Sequence, residues 1–427
     1  MALTKNKKRK GKGLLSALAV ILLLVFVAFI AISIGAYSPN KDYYGNGKAW
    51  STTDNFDDYY QQMLTLPIAF DGDRPLRIMQ IADPQMKFGS WTDDKRTMDL
   101  LDKAIDHLQP DIAVVTGDLT YSIFAKNAVK YFADFMESKK VYWAFTYGNH
   151  DSELTFSKYR HSQLLKKYNY CLFDGGPSNI FGESNYFVNV KDTEGNLVYA
   201  LCMMDTNMYQ GDQSDLFNRE YGEIEQDQVD WYKWVVEGLQ TKNADVQSSL
   251  FVHIPFKAHL EVLDDPNKVG SIQEMDREWR GEVLPGVAFQ GGDCGQAMYQ
   301  MMLALGSTKS VFAGHDHVNT LRGLTHDGIF MAYGRSCGYH TYPFFQYQGE
   351  RPFLEKIFDS LWGYVGASMY EDLWVDENGN VLGHGMSLIE INVDTSSADY
   401  GQIYMYDVSH QGLTDGNPTR QHECTVF

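Results

Sequence analysis

The sequence has few cysteines, five in 427 residues, and none of them forms a Cys-x-x-Cys pair. Because they are scattered and odd in number, a disulfide scaffold is not expected, although one bridge stays possible in an oxidising compartment. A structural zinc site is not expected either, since such sites use clustered thiolates. The fold must therefore depend on a hydrophobic core, and 44% of the residues are hydrophobic.

Positive charge is also scarce. The chain has 36 lysine and arginine residues against 55 aspartate and glutamate residues, a formal net charge of −19. Six of the basic residues stand within residues 1–13, so the rest of the chain is still more acidic. This balance argues against sequence-independent binding to nucleic acid, and we expect no nucleic-acid partner.

Charge is absent from Leu14–Ala36, a run of 23 largely apolar residues. As a helix this run would be about 34 Å long, enough to cross a hydrocarbon core of about 30 Å. The basic segment 1–13 should stay in the cytoplasm, which predicts a single-pass membrane anchor at 14–36 and an extracytoplasmic remainder. The alternative is a cleaved signal peptide and a secreted protein.

Strands and helices alternate in the part of the chain that follows. The residue patterns predict strands at 77–82, 112–116 and 141–146, separated by helices at 93–109 and 124–138. Strands connected through helices are parallel neighbours, so residues at their carboxyl ends should meet at one edge of a sheet. The fold class predicted from this alternation is α/β.

Composition suggests the remaining boundaries. Residues 37–70 are interpreted as a stalk or edge segment, and 71–409 as one domain. Within that domain, 343–379 is an aromatic-rich accessory segment, and 410–427 is interpreted as a loose tail.

Polar side chains of metal-binding types follow each of these predicted strands and two later ones, at 249–252 and 310–313. The residues are Asp83, Gln85, Asp118, Asn149, His150, Asp151, His253, His315 and His317. Taken singly, each cluster is explained equally well by a turn, a helix cap or a solvated loop. Their convergence at the ends of neighbouring strands favours a metal site.

The series Asp83-x-Gln85, Gly117-Asp118, Gly148-Asn149-His150-Asp151, His253 and Gly314-His315-x-His317 resembles the calcineurin-like metallophosphoesterase superfamily. The resemblance covers roughly residues 74 to 408, and its Gly-Asn-His-Asp and Gly-His-x-His motifs are the specific ones. Membership implies a four-layer α-β-β-α sandwich with a dinuclear metal site.

The resemblance also implies roles for individual residues. One metal would be held by Asp83, Gln85 and His317, the other by Asn149, His253 and His315, with Asp118 bridging. Such a mixed ligand set suits Mn, Fe or Zn. The implied reaction is hydrolysis of phosphate mono- or diesters by in-line attack of a metal-bridging hydroxide. His150 would act as general acid, oriented by Asp151.

Two departures leave alternatives open. Gln85 stands where many members of the superfamily have histidine, and Gly117-Asp118-x-x-Tyr121 matches the purple acid phosphatase form, in which the tyrosine binds iron. We interpret Gln85 as the ligand and Tyr121 as a packed aromatic residue. The competing hypotheses are a purple-acid-phosphatase-like enzyme that uses Tyr121 and a catalytically inactive binding module. A phosphate ester is the expected substrate, and no obligate protein partner is inferred.

Overall fold

The computed structural model describes residues 20–24, 26–27, 44–89, 91–152, 156–210, 220–264, 293–317, 320–340 and 384–426. The predicted basic segment 1–13, most of the predicted anchor 14–36 and the accessory segment 343–379 lie outside these ranges. No helix within the described ranges is both long enough and apolar enough to span a bilayer. The anchor at 14–36 stays a prediction.

The strands in chain order are β1 (Leu64–Phe70), β2 (Leu76–Ile81), β3 (Ile112–Thr116), β4 (Tyr142–Thr146), β5 (Tyr186–Asp192), β6 (Leu197–Met203), β7 (Tyr209–Gln210), β8 (Glu220–Tyr221), β9 (Gln247–Phe251), β10 (Thr308–Ala313), β11 (Arg322–Leu324), β12 (Phe330–Tyr333), β13 (Gly385–Ile391), β14 (Ile403–Ser409) and β15 (Gln421–Val426). The helices are α1 (Phe56–Tyr60), α2 (Thr92–Leu108), α3 (Ala125–Lys139), α4 (Lys158–Leu165), α5 (Gln226–Lys242), α6 (Asp293–Leu305) and α7 (His410–Thr414), with a 3-10 helix at Lys257–Asp264.

One sheet has six strands in the order β15-β14-β13-β2-β3-β4. Its strands β2, β3 and β4 are parallel, and Ile112 pairs with Ile78 on one side and with Tyr142 on the other. Helices α2 and α3 provide the crossovers, as the β-α-β-α-β pattern predicts. The carboxyl ends of these three strands therefore lie side by side.

The other sheet has seven strands in the order β1-β5-β6-β9-β10-β12-β11. Strands β6, β9, β10 and β12 run parallel to one another, with antiparallel neighbours β5 and β11. Alternate residues of β6 belong to different cores, since Leu201 and Met203 pack in the larger one and Ala200 and Cys202 in the smaller one. This sheet is therefore buried on both faces.

The two cores show what covers each sheet. The larger core combines side chains from both sheets with the apolar faces of α2 and α3, among them Leu101 and Phe132. The smaller core combines the seven-stranded sheet with α5 and α6, among them Trp231 and Met298. The protein is thus a mixed α/β fold with two sheets that pack together.

The carboxyl-terminal segment corrects a prediction. Residues 410–427, interpreted from the sequence as a loose tail, contribute α7 and β15. Strand β15 pairs antiparallel with β14, and its residues Cys424 and Val426 are buried. The alternation there is short and follows a polar turn, so pairing with β14 rather than local propensity defines the strand. By contrast, β1 within the predicted stalk-or-edge segment forms an edge strand of the seven-stranded sheet, as the edge interpretation expects.

Candidate metal centre

The turns that carry the predicted ligands have an unusual backbone. Eight non-glycine residues of the described chain have positive φ, and four of them are predicted ligands: Asp83 at 53°, Gln85 at 42°, Asp118 at 51° and His315 at 71°. Side chains other than glycine are disfavoured in this left-handed region. The surrounding structure therefore holds these four residues in conformations that they would not adopt alone.

Close packing fixes the turns against one another. The backbone N–H of Gln85 donates to the backbone carbonyl of Asp118 at 2.9 Å, and this bond connects the turn after β2 to the turn after β3. A Cβ atom on Gly148 would lie 2.2 Å from Asp118 Oδ1, and one on Gly117 would lie 2.5 Å from His253 Nδ1. Only glycine fits at either position, so these motif glycines bring the ligand side chains together.

One group of donor atoms forms around His317. Its Nε2 atom lies 3.2 Å from Asp83 Oδ1 and 3.3 Å from the Gln85 side-chain amide nitrogen. The same amide nitrogen donates to Asp118 Oδ2 at 3.1 Å. A half-turn of the Gln85 amide would present its oxygen at this position instead, because the two orientations have the same shape.

A second group forms around His253. Its Nε2 atom lies 3.0 Å from Asn149 Oδ1, 3.2 Å from His315 Nδ1 and 3.5 Å from Asp118 Oδ2. On the other side of the ring, Nδ1 donates to the Thr116 carbonyl at 2.9 Å. That bond directs Nε2 at the group, which is how outer partners orient ligating histidines.

The donor set fits metal ions. Two ligands on the same ion at about 2.1 Å lie about 3.0–3.4 Å apart, and the distances given above for the two groups are 3.0–3.5 Å. One ligand atom from each of Asp83, Asp118 and His317 also lies within 4.8 Å of the other two. Asp118 Oδ2 takes part in both groups, and the carboxylate, amide and imidazole donors include no thiolate. The residues predicted from the sequence to hold two metals thus converge as two groups with one shared oxygen.

The pKa shifts of Asp118, His253 and His315 show how charge is distributed in the centre. Burial acts to raise the pKa of the Asp118 carboxyl, but His253 and His150 outweigh it and hold that pKa well below its usual value. For His253, burial acts to lower the pKa, and the Asp118 carboxylate outweighs it and raises the pKa to about 9. Burial and then the neighbouring His253 lower the pKa of His315. The carboxylate is therefore kept ionised and the His315 nitrogen free of a proton, whereas a metal ion bound at His253 would take the place of a proton on its Nε2 atom.

His150 lies at the edge of the centre, with 27% of its side chain exposed. Its backbone N–H donates to Asp118 Oδ1 at 2.8 Å, and its Nε2 atom lies 4.0 Å from Asp118 Oδ2. The Tyr121 ring packs against the His150 ring at 4.4 Å between centroids. Gln85 thus points into the donor groups, whereas the Tyr121 ring contacts the predicted general acid.

Asp151 is buried beneath these turns. Its carboxylate accepts hydrogen bonds from the backbone N–H groups of Gly148 at 2.8 Å, Asp118 at 2.9 Å and Thr120 at 3.1 Å. Burial and the charge of Asp118 raise its pKa to about 7. These bonds connect Asp151 to the backbone of Asp118, the predicted bridging ligand, a contact that sequence reasoning missed. Its orientation of His150 stays a prediction.

Sequence reasoning missed Tyr221 and the Thr116 carbonyl. The Tyr221 ring lies edge-on against His315 at 4.8 Å between centroids. It comes from the short strand β8, far from every motif, so nothing in the local sequence pointed to it. The Thr116 carbonyl belongs to the backbone of β3, which no side-chain motif can reveal.

Comparison with known proteins agrees with this geometry. The family model described as calcineurin-like phosphoesterase matches residues 76–319, more than half of the chain. The protein therefore belongs to the calcineurin-like phosphoesterase family, whose activity requires bound metal.

Three relatives carry curated names. The chain is 26% identical over 308 residues to "Probable inactive purple acid phosphatase 28" of Arabidopsis thaliana, covering 65% of this chain and 74% of that protein. It is 26% identical over 308 residues to "Probable inactive purple acid phosphatase 29" of the same plant, covering 64% and 75%. It is 27% identical over 269 residues to "Phosphatase DCR2" of Saccharomyces cerevisiae, covering 56% and 42%.

Proposed function

We propose that the protein is a dinuclear-metal phosphoesterase that hydrolyses phosphate mono- or diesters. The observation that carries the proposal is the position of Asp118 Oδ2. This atom lies 3.1 Å from the side-chain nitrogen Nε2 of Gln85 and 3.5 Å from His253 Nε2. One carboxylate oxygen in contact with both donor groups is what a bridging ligand between two ions requires.

Each predicted site residue has a role in this proposal, either as a metal ligand, as a proton donor or as a support for the turns. Asp83, Gln85 and His317 would hold one ion, Asn149, His253 and His315 the other, and Asp118 both. When bound, two ions of Mn, Fe or Zn supply an activated water and neutralise the charge of the phosphoryl group during in-line displacement. His150 is partly exposed beside Asp118. It can therefore donate a proton to the leaving-group oxygen as the bond between that oxygen and phosphorus breaks. Asp151 keeps the Asp118 turn in place from below.

Further parts of the proposal concern architecture and location. The division into two cores supports a four-layer α-β-β-α sandwich, with α2 and α3 outside one sheet and α5 and α6 outside the other. We also propose that Leu14–Ala36 anchors the protein in a membrane with its catalytic domain extracytoplasmic, on the strength of its uncharged length. Recovery of the full chain from alkaline-washed membranes would support the anchor, and recovery from the supernatant would refute it.

A second candidate is a metal-binding module without turnover. It is favoured by the names of two plant relatives, which describe them as probably inactive. The retention of all seven predicted ligands and of His150 in one centre supports the enzyme instead, because a site released from catalysis has no reason to keep a general acid. An iron enzyme that uses Tyr121 as a ligand is a variant of the first proposal.

The test is metal reconstitution. The purified protein is stripped of metal, reloaded separately with Mn²⁺, Fe or Zn²⁺, and assayed with 4-nitrophenyl phosphate and bis(4-nitrophenyl) phosphate. Turnover restored by a metal supports the enzyme, and the preferred ester separates monoesterase from diesterase activity. Two metals bound per chain with no turnover of either ester would favour the binding module. A visible charge-transfer band in the iron form would support Tyr121 as a ligand.

A further inference from the structure

Two loops beside the metal centre run together and carry four aromatic side chains. The Met86 amide nitrogen donates to the Leu119 carbonyl at 2.8 Å, and Thr120 Oγ1 donates to the Met86 carbonyl at 2.8 Å. The loop after β2 and the loop after β3 are thus fixed side by side. Their aromatic residues, called the aromatic wall below, are Phe88, Trp91, Tyr121 and Phe124.

Three rings of the wall, Phe88, Trp91 and Phe124, contact one another. Phe88 stacks against Trp91 at 5.9 Å between centroids with an interplanar angle of 22°, and Phe124 meets Phe88 edge-on at 5.0 Å. All four side chains are only half-buried, although the core residues beneath them are fully buried. The two loops therefore present ring surface beside the centre instead of burying it.

Tyr121 is the residue of the wall that contacts the predicted general acid, His150. Its ring centroid lies 4.4 Å from that of His150, at an interplanar angle of 43°. His150 is the group that donates a proton to the departing oxygen in the proposed function, so the leaving group must lie beside it. A leaving group in contact with His150 is accordingly next to the Tyr121 ring.

We propose that Tyr121 is a specificity-determining residue that stacks on the leaving group, and that the preferred substrates are phosphate esters whose leaving group carries a planar aromatic ring, aryl or nucleoside. This inference rests on the proposed phosphoesterase function. Aromatic rings stack favourably on planar rings, whereas a sugar or polyol offers no comparable π face.

The decisive comparison uses two substrates that share the leaving atom. Adenosine 5′-monophosphate and ribose 5-phosphate both release phosphate from a ribose 5′ oxygen, and only the first carries a ring system beyond the sugar. The ratio of their kcat/KM values in the metal-loaded protein isolates the effect of the base. Phenyl phosphate is assayed alongside, so that an aryl preference is distinguished from a nucleoside preference.

The expected result is a higher kcat/KM for adenosine 5′-monophosphate, with a loss of about ten-fold or more in Tyr121→Ala for that substrate and a much smaller loss for ribose 5-phosphate. Tyr121→Phe keeps the ring and should keep the preference. Tyr168→Ala is the matched control, because Tyr168 is also half-buried but contacts Asp134 on α3 instead. It should leave the ratio unchanged.

Other outcomes overturn the proposal. Equal losses on both substrates in Tyr121→Ala would show that the ring only positions His150. Loss of metal content in Tyr121→Phe would make the hydroxyl a ligand, and loss of the preference in Tyr221→Ala but not in Tyr121→Ala would place the leaving group beside His315.

If the wild type turns over none of the three esters, the proposed function has failed for them, and binding decides the inference separately. Calorimetric titration of the metal-loaded protein with adenosine 5′-monophosphate and ribose 5-phosphate should then show tighter binding of the first, lost in Tyr121→Ala. Equal affinities would reject the stacking role.

Discussion

The metal centre and the Arg322–Asp407 pair both bury charge where the two sheets meet, yet they are built differently. Arg322 of β11 donates from Nη2 to both Asp407 oxygens of β14 at 2.8 Å, and Ser387 Oγ adds a bond to Asp407 at 2.6 Å. Both charged side chains are 0% exposed. Positive and negative charge are matched within the pair, and its strand backbone has no positive φ.

The metal centre is not matched in this way, because His253, whose pKa is raised to about 9, supplies one positive charge against two carboxylates. It contains two buried carboxylates, Asp83 and Asp118, surrounded by imidazole and amide donors whose atoms approach one another to 3.0–3.5 Å. Several of its residues also have strained backbone angles. A pair whose opposite charges are already in contact serves the fold, whereas a strained cluster of converging donor atoms is suited to an added cation. Burial of polar groups alone does not distinguish the two; convergence and strain do.

The largest expected effect is a loss of turnover when the metal centre is altered in a protein that stays folded. Asp118→Asn removes the charge of the shared ligand, so turnover with 4-nitrophenyl phosphate should fall by about 10³-fold or more. Metal content per chain should fall as well. The metal-free variant should still melt cooperatively by circular dichroism, because the fold does not depend on that charge. Turnover within ten-fold of wild type would show that Asp118 does not bridge two ions.

The opposite result is expected for the structural cluster. Arg322→Met leaves Asp407 buried without its cation, which should lower the free energy of unfolding by about 3–5 kcal/mol in urea titration. The double variant Arg322→Met/Asp407→Leu removes both charges and should recover part of that loss, since buried Arg335 then loses the nearby Asp407 charge. Metal content of the folded fraction should stay unchanged in both. A single variant as stable as wild type would contradict the assigned structural role.

A smaller effect tests the close approach within the metal centre. In Gly117→Ala, the new Cβ would lie 2.5 Å from His253 Nδ1, and φ at this position is 83°. Displacement of His253 should weaken metal affinity by about 10–100-fold, measured by competition with a chelator. Gly195→Ala is the matched control, since Gly195 has φ of 87° but no atom within 4 Å of its Cβ position. Equal affinities in the two variants would remove the packing argument.

The difference between the metal centre and the Arg322–Asp407 pair also explains which features could be predicted from the sequence. The strands β2, β3 and β4 were predictable, and so was the convergence of the seven candidate ligands, because a short apolar run followed by a motif identifies both at once. Strand β15 was not, since its pairing with β14 depends on distant residues. The Arg322–Asp407 pair joins positions 85 residues apart and has no local signature. Asp151 was recognised as part of a motif, but its bonds to the Asp118 turn became visible only in three dimensions.

The last prediction concerns a buried polar side chain that has neither partners nor strain. His161 of α4 is 0% exposed, neither ring nitrogen has a hydrogen-bond partner, and it packs among Phe145, Tyr147 and Phe156. Burial lowers its pKa to about 3, so between pH 6.5 and 3 the unfolded state binds a proton that the folded state does not.

Stability contributed by neutral His161 is therefore complete above pH 6.5 and is lost as the pH falls. From the linkage relation, the loss between pH 7.5 and pH 5 should be about 2 kcal/mol relative to His161→Phe, which cannot take up a proton. Urea titrations of both proteins at the two pH values measure it. Parallel pH dependence would mean that His161 gains a compensating partner on protonation. The expected divergence would instead show that a buried histidine outside any converging donor set affects stability without contributing to metal binding.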